Sequence, residues 1–295
     1  NVDFKTYKQL FEALSIALYF DQDRKRYHGF TTGLVGKKLA EIIGPASPSR
    51  VFYTGLIHDL GGIGLSHHIV HYALAGKDSL KEYPNSVIRQ VRRHGPIGAK
   101  KVKDYEGFEW MIDLLRDHHE RYDGNGFPEG KLKDSVSIEA GVLGAADMFD
   151  VYLQSIKKKE DHISEVNNVE GFKNFLKAHG GFRQKVREGI LEIASEEEFL
   201  DSLSSIKNLE KLVSDVMEKF SPPGGIHLEG IIELLGSVID VKSNYTEDHS
   251  SRVASIGQKI GKRLNMNEQE LRNYRHAAYL HDLGKVGIDR SIINK

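Results

Sequence analysis

Cysteine is absent from the 295 residues, which excludes disulfides, thiolate metal ligands and a thiol nucleophile. A run of about 18 apolar residues is also absent, so the sequence predicts no membrane-spanning helix. Neither sign of charge is in excess: 41 Lys and Arg stand against 42 Asp and Glu. We therefore expect no strongly basic surface for DNA or RNA. The lack of cysteine fits a reducing compartment, and we expect a cytoplasmic protein.

The apolar pattern is helical almost throughout, and strand-like alternation is scarce. One example is the stripe Phe4, Tyr7, Phe11, Leu14 and Leu18. We therefore predict an all-α fold.

A second stripe predicts one long helix with a coiled-coil-like seam. Its members step by threes and fours: Phe199, Leu203, Ile206, Val213, Met217 and Phe220. Such a seam could join two copies of the chain as a homodimer, or it could pack on its own domain. Pro222, Pro223, Gly224 and Gly225 should end the helix, and we place a domain boundary there.

The chain contains an internal repeat. His58-Asp59-Leu60-Gly61 recurs as His281-Asp282-Leu283-Gly284, and a helical stretch that begins at His28 has a counterpart at His249. We predict a metal-binding domain over 1–195, a connecting helix and linker over 196–225, and the first part of a second, similar domain over 226–295. The counterparts of the later residues of the first copy would fall beyond Lys295, so we expect the second copy to be incomplete.

Candidate chemistry is concentrated in the first copy, in histidines and aspartates. A lone histidine is usually a surface or core residue, but adjacent His-Asp and His-His pairs can reach two neighbouring cations. A carboxylate can also bridge two cations. Nitrogen and oxygen donors without thiolate suit a binuclear site, and such donors admit iron, manganese, zinc or nickel. The candidate ligands are His28, His58, Asp59, His94, His118, His119 and Asp147.

These motifs resemble the HD-GYP branch of the HD-domain metal-dependent phosphohydrolases. The resemblance depends on the His58-Asp59 pair, on His94 before Pro96 and Gly98, and above all on one run: His118-His119-Glu120 followed by Asp123-Gly124-Asn125-Gly126-Phe127-Pro128. It implies a helical bundle that hydrolyses the phosphodiester of a cyclic dinucleotide, cyclic di-GMP or cyclic GMP-AMP, with a hydroxide bridging two metals, iron or manganese. It also implies two ligand groups that share Asp59: His28, His58, Asp59 and Asp147, and Asp59, His94, His118 and His119.

The loop of residues 123–128 has an ordinary interpretation as a Gly-Pro turn. The resemblance favours a functional one, in which Asp123 orients the groups that surround the metal ligands and acts with Asp59 in catalysis. Gly124, Gly126 and Phe127 would then border the substrate.

The first copy departs from the family pattern at three cationic or polar positions. Gly62 replaces a Lys near the substrate phosphate, Phe127 replaces a Tyr, and Ile156 replaces an Arg. Lys157, Lys158 and Lys159 follow Ile156 directly and could bind the phosphate instead, although a run of lysines is usually a solvated helix end. The second copy retains the Lys, as Lys285, together with the metal-ligand candidates His249, His281 and Asp282. Arg24 replaces the Glu that would hold a third metal, so two metals are expected.

Two alternatives to a cyclic-dinucleotide phosphodiesterase follow. The first copy could be a binding module that holds metals without turnover and regulates the second copy or recruits a partner such as a cyclic-dinucleotide synthase. The chain could also be another HD-type nucleotide phosphohydrolase, although the loop after His118-His119-Glu120 argues against that.

Overall fold

The computed structural model describes residues 2–19, 27–63, 84–157, 168–225, 227–243 and 248–288. These residues form helices joined by short loops and contain no strand; a single bridge pairs Asp123 with Leu132. The prediction of an all-α fold is confirmed. The helices are α1 Val2–Tyr19, α2 His28–Ile43, α3 Pro48–Ile57, α4 Asn85–Val102, α5 Ile112–Asp117, α6 Ile138–Lys157, α7 Asn168–His179, α8 Gln184–Ala194, α9 Glu197–Ser202, α10 Ile206–Lys219, α11 Leu228–Lys242, α12 His249–Arg263 and α13 Glu268–Leu280. Short 3-10 turns cover Leu60–Gly62, Glu109–Met111, Lys133–Ser135 and Leu283–Gly287.

Helix α2 is the centre of the first copy. It packs against α3, α6 and α8, and most of its side chains are buried, including Val35 and Leu39. Helix α3 begins where the Ser47 side chain accepts a hydrogen bond from the Arg50 amide, with Pro48 at the first helical position. This arrangement brings the start of α2 and the end of α3 together, where His28 and His58 lie. In the part of the chain that is described, no helix is long and apolar enough to cross a membrane.

The predicted long helix with a seam is wrong. The chain forms α9 and α10, separated at Leu203–Ser205, because Ser202 and Ser204 donate their hydroxyls to carbonyls of the preceding turn. Leu209, Val213 and Met217 are buried in the core of their own chain. They are therefore not a surface for a second copy, and the argument for a homodimer fails.

The order of the elements parallels the repeat predicted from the sequence. Helices α11, α12 and α13 and their 3-10 turn follow the same order as α1, α2, α3 and theirs. Helix α11 packs against α1, and its Ile231, Leu234 and Leu235 belong to the same hydrophobic core as the first copy. Packing is thus continuous across the boundary predicted at residue 225, and the domain limits remain a prediction.

The two copies differ in how the second helix is covered. Val35, Leu39 and Ile43 on α2 are buried beneath neighbouring helices. Their counterparts 221 residues later, Ile256, Ile260 and Leu264, are 57%, 53% and 71% exposed. Among the described residues, the second copy therefore lacks the layer that α6 and α8 provide in the first.

Candidate metal centre

Three histidines are anchored to the main chain in the same way. The Nδ1 atoms of His58, His94 and His118 donate to the carbonyls of Gly55, Val91 and Leu115, at 2.8, 2.5 and 2.8 Å. Each carbonyl belongs to the residue three positions earlier, on the helix that the histidine ends or continues. Because Nδ1 carries the proton, the Nε2 lone pair of each ring is directed into the interior.

The glycine after the HD pair places Asp59 beside His94. A Cβ atom on Gly61 would overlap the His94 carbonyl oxygen and the Gly98 nitrogen, both in the backbone of α4. Only a residue without a side chain permits this approach. Asp59 Oδ1 consequently lies 3.3 Å from His94 Nε2.

The predicted ligands form two buried groups. In the first, His28 Nε2 lies 3.1 Å from His58 Nε2 and 3.3 Å from Asp147 Oδ1. In the second, His94 Nε2 lies 3.1 Å from His118 Nε2 and 3.0 Å from His119 Nε2. Within each group the candidate ligand atoms lie within 4.8 Å of one another.

Asp59 lies between the two groups. Its Oδ1 faces His94, and its Oδ2 lies 3.5 Å from His58 Nε2 and 3.7 Å from His28 Nε2. Each carboxylate oxygen thus faces a different group. This is the placement that a bridging carboxylate requires.

The donor set fits divalent cations. The lone pairs of His94 and His118 face one another at 3.1 Å, which is repulsive unless a positive charge lies between them. Asp147 Oδ2 and His119 Nδ1 are buried, accept or donate no hydrogen bond within the described residues, and lie 3.9 Å apart. Buried polar atoms are almost always satisfied, so two unsatisfied ones among these donors fit residues that hold a cation.

The pKa values of the histidines differ between the two ligand groups. Burial acts to lower the pKa of His28, but hydrogen bonds to Asp147 and Asp150 outweigh it and raise that pKa to about 10. Burial together with His94 and His58 lowers the pKa of His118 to about 3. Burial would raise the pKa of Asp147, yet hydrogen bonds from His28 and His58 hold it well below its usual value. His118 is therefore neutral and Asp147 ionised, the states that metal ligands need, whereas His28 is protonated between its two aspartates and would release that proton on binding a cation.

Asp150 is a site residue that the sequence analysis missed. Its Oδ2 accepts a hydrogen bond from His28 Nδ1 at 2.5 Å, which fixes the ring and directs Nε2 towards Asp147. The sequence did contain a signal for this residue. Asp150 follows Asp147 by three positions, and residues three apart on a helix lie on the same face.

Replacing Asp150 by Ala should weaken metal binding. The His28 ring would lose its orienting partner, and such outer partners are worth about 10–100-fold in metal affinity. A titration of metal-free protein with Mn²⁺ measures this, with Asp134→Ala on an exposed loop as the control. An unchanged affinity in Asp150→Ala would contradict the orienting role.

The loop over residues 123–128 folds back on the ligands. Glu120 accepts hydrogen bonds from the amides of Glu129 and Lys131 at 2.7 and 2.8 Å. The Phe127 ring stacks on the His119 ring at 4.6 Å between centroids. A Cβ atom on Gly126 would overlap the Arg121 nitrogen, so this glycine is required for the close approach of the loop.

No hydrogen bond or ion pair joins Asp123 to either ligand group among the described residues, and its orienting and catalytic roles remain predictions. It is exposed, and its carboxylate accepts hydrogen bonds from the amide and side chain of Asn125, each at 3.0 Å. An aspartate two residues before an amide commonly closes such a turn. These hydrogen bonds shape the loop, in which Gly124 has a φ of +82°.

The remaining predicted residues are placed in part. Lys157 ends α6, but its side chain and all of Lys158 lie outside the described residues. In the second copy, His249, His281 and Asp282 come together as a partly exposed group. Lys285 Nζ lies 2.6 Å from Asp282 Oδ2, whereas the first copy has Gly62 at the equivalent position.

Comparison with known proteins identifies the family of the chain. The HD domain family model matches residues 26–152 and 246–295, so it covers both copies. The 3'3'-cGAMP-specific phosphodiesterase 3 of Vibrio cholerae is 25% identical over 215 residues, which are 72% of this chain and 44% of that protein. The cyclic di-GMP phosphodiesterase PdeB of Borreliella burgdorferi is 28% identical over 222 residues, 73% of this chain and 53% of that protein.

The fold is shared with a solved structure. A crystal structure of a cyclic GMP-AMP specific phosphodiesterase of Vibrio cholerae has a TM-score of 0.65 at 20% identity, covering 98% of this chain and 73% of that one. The chain spans about half the length of the two curated relatives. Both segments that match the family model contain a His-Asp pair at the end of a helix. The chain therefore belongs to the HD domain family.

Proposed function

We propose that the first copy is a metal-dependent phosphodiesterase that opens a cyclic dinucleotide, cyclic di-GMP or cyclic GMP-AMP. The observation that carries the proposal is the pair of buried His/Asp groups on either side of Asp59. The named activities of the relatives agree with it.

The residues would divide between two cations. His28, His58 and Asp147 would hold one, His94, His118 and His119 the other, and Asp59 both. Iron or manganese suits these nitrogen and oxygen donors, and zinc or nickel would also fit. Bound there, the cations supply a hydroxide nucleophile at neutral pH and neutralise the charge of the phosphodiester.

The chain's own residues position the substrate. Phe127 covers His119 and offers one face of the site to a nucleobase, while Gly124 and Gly126 keep the adjoining wall free of side chains. Asp150 and three main-chain carbonyls fix the rings before substrate arrives, which lowers the reorganisation needed for reaction. Lys157 and Lys158 remain candidates for contact with a substrate phosphate.

The test is hydrolysis by the purified chain loaded anaerobically with Fe²⁺ or Mn²⁺. We expect a linear dinucleotide from cyclic di-GMP or cyclic GMP-AMP, detected by chromatography. Loaded protein that releases no linear product would overturn the proposal. Faster hydrolysis of ordinary nucleoside phosphates than of either cyclic dinucleotide would favour another HD-type nucleotide phosphohydrolase instead.

One observation favours a second function, a binding module without turnover. The ammonium that Lys285 places against Asp282 has no equivalent at Gly62. Such a module would hold cation and nucleotide and regulate the second copy, or a cyclic-dinucleotide synthase.

Introducing the missing cation separates the two functions. If the first copy turns over, Gly62→Lys should raise its kcat by about 10-fold or more, because a positive charge stabilises the charge that develops on the phosphate. Gly62→Met, with a chain of similar length and no charge, is the matched control. Equal rates for both variants and the wild type would show that this cation does not limit the reaction.

A further inference from the structure

A groove of about 820 Å³ opens beside the second ligand group. It shares His119 and Phe127 with the metal centre, and its other walls come from α4, the loop over residues 123–128, α7 and α8. A volume of this size suits a ligand larger than a single phosphate.

The walls carry mostly positive charge. Arg92 on α4, Lys177 on α7 and Arg187 on α8 are exposed and line the groove. None of the three forms an ion pair with another residue in the described ranges. Asp123 is the one acidic residue among the lining residues, and it is already engaged with Asn125.

The three cations come from separate helices and converge on one space. Surface charges usually repel one another or pair with acids, so three unpaired cations around a groove are a recognition feature for an anion. His119, a candidate ligand of the second group, lines the same groove, which places this positive wall next to the metal ligands.

We infer that Arg92, Lys177 and Arg187 bind the second phosphate of the cyclic dinucleotide, the one that is not at the metals; this rests on the proposed function. A cyclic dinucleotide carries two phosphodiesters in one ring. When one lies at the metal centre beside His119, the other requires its own positive site. The groove also explains how the first copy binds such a ligand although Gly62 and Ile156 supply no charge.

The experiment compares two triple variants with the same change in net charge. The groove variant is Arg92→Gln/Lys177→Gln/Arg187→Gln. The control is Arg89→Gln/Lys173→Gln/Lys185→Gln, which removes exposed cations from the same three helices outside the groove. Each is assayed with cyclic di-GMP and with bis(p-nitrophenyl) phosphate, which has a single phosphate.

We expect the groove variant to raise KM for cyclic di-GMP by about 10-fold or more relative to the control. The ratio of kcat/KM for cyclic di-GMP to that for the single-phosphate ester should fall by a similar factor. A ratio equal to that of the control would overturn the inference.

Direct binding distinguishes this inference from the proposed function. If the wild type hydrolyses neither substrate, the proposed function fails. Calorimetric titration of metal-loaded protein with cyclic di-GMP then tests whether the groove binds the second phosphate. Weaker binding in the groove variant alone would support the inference. Equal binding by both variants, or no binding by the wild type, would overturn it.

Discussion

Asp59→Asn should lower the metal content by at least one ion per chain and slow hydrolysis by about 100-fold or more. An amide keeps the size of the carboxylate but offers one good ligand atom where Asp59 presents two, one to each group. Elemental analysis after loading and gel filtration measures the metal, and product formation measures the rate.

Asp201→Asn is the matched control, because Asp201 is exposed on α9, far from the ligand groups in sequence. It should leave both the metal content and the rate as in the wild type. Equal losses in the two variants, or full metal content in Asp59→Asn, would contradict the bridging assignment.

Gly61→Ala should destabilise the protein by about 3 kcal/mol, near the upper end for an overpacked site. The added methyl group would overlap backbone atoms of His94 and Gly98, and a backbone cannot rotate away as a flexible side chain can. The 3-10 turn at Leu60–Gly62 would move from α4 and take Asp59 with it. We therefore expect metal affinity to fall together with the denaturation midpoint.

Gly141→Ala is the control for the same chemical change. A Cβ atom at Gly141 on α6 meets nothing within 4 Å. Alanine should therefore stabilise the helix by about 0.5–1 kcal/mol. Chemical denaturation of both variants tests the pair, and a Gly61→Ala protein as stable as the wild type would refute the close contact.

The parts of the site that the sequence predicted are those with a local signature. His58-Asp59 ends a helix, and His118-His119-Glu120 leads directly into a Gly-rich loop, so their chemistry can be read from adjacent residues. The prediction that these segments lie beside His28 and Asp147 came only from the family resemblance. Spacing along the chain does not specify which helices cross.

The errors have physical reasons. The apolar period predicted over α9 and α10 was correct, but a period does not show whether the apolar face packs on a partner chain or on the chain's own core. The helix breaks because the serines between α9 and α10 form hydrogen bonds with backbone carbonyls. Asp150 was overlooked because it acts through His28 and not on the metals themselves.

The hydrogen bonds from the histidine rings to main-chain carbonyls affect how such a metal centre loses its ligands by substitution. His58, His94 and His118 are each oriented by their own helix and not by one another. Losing one ligand therefore leaves the other rings aimed as before, and the centre can be dismantled one residue at a time without collapse. His281 shows the anchor in the second copy, where its Nδ1 donates to the Ala278 carbonyl at 2.7 Å although the surrounding group is half open to solvent. An ordered histidine in an HD domain is thus evidence of the helix that carries it, and activity has to be inferred from the whole set of ligands.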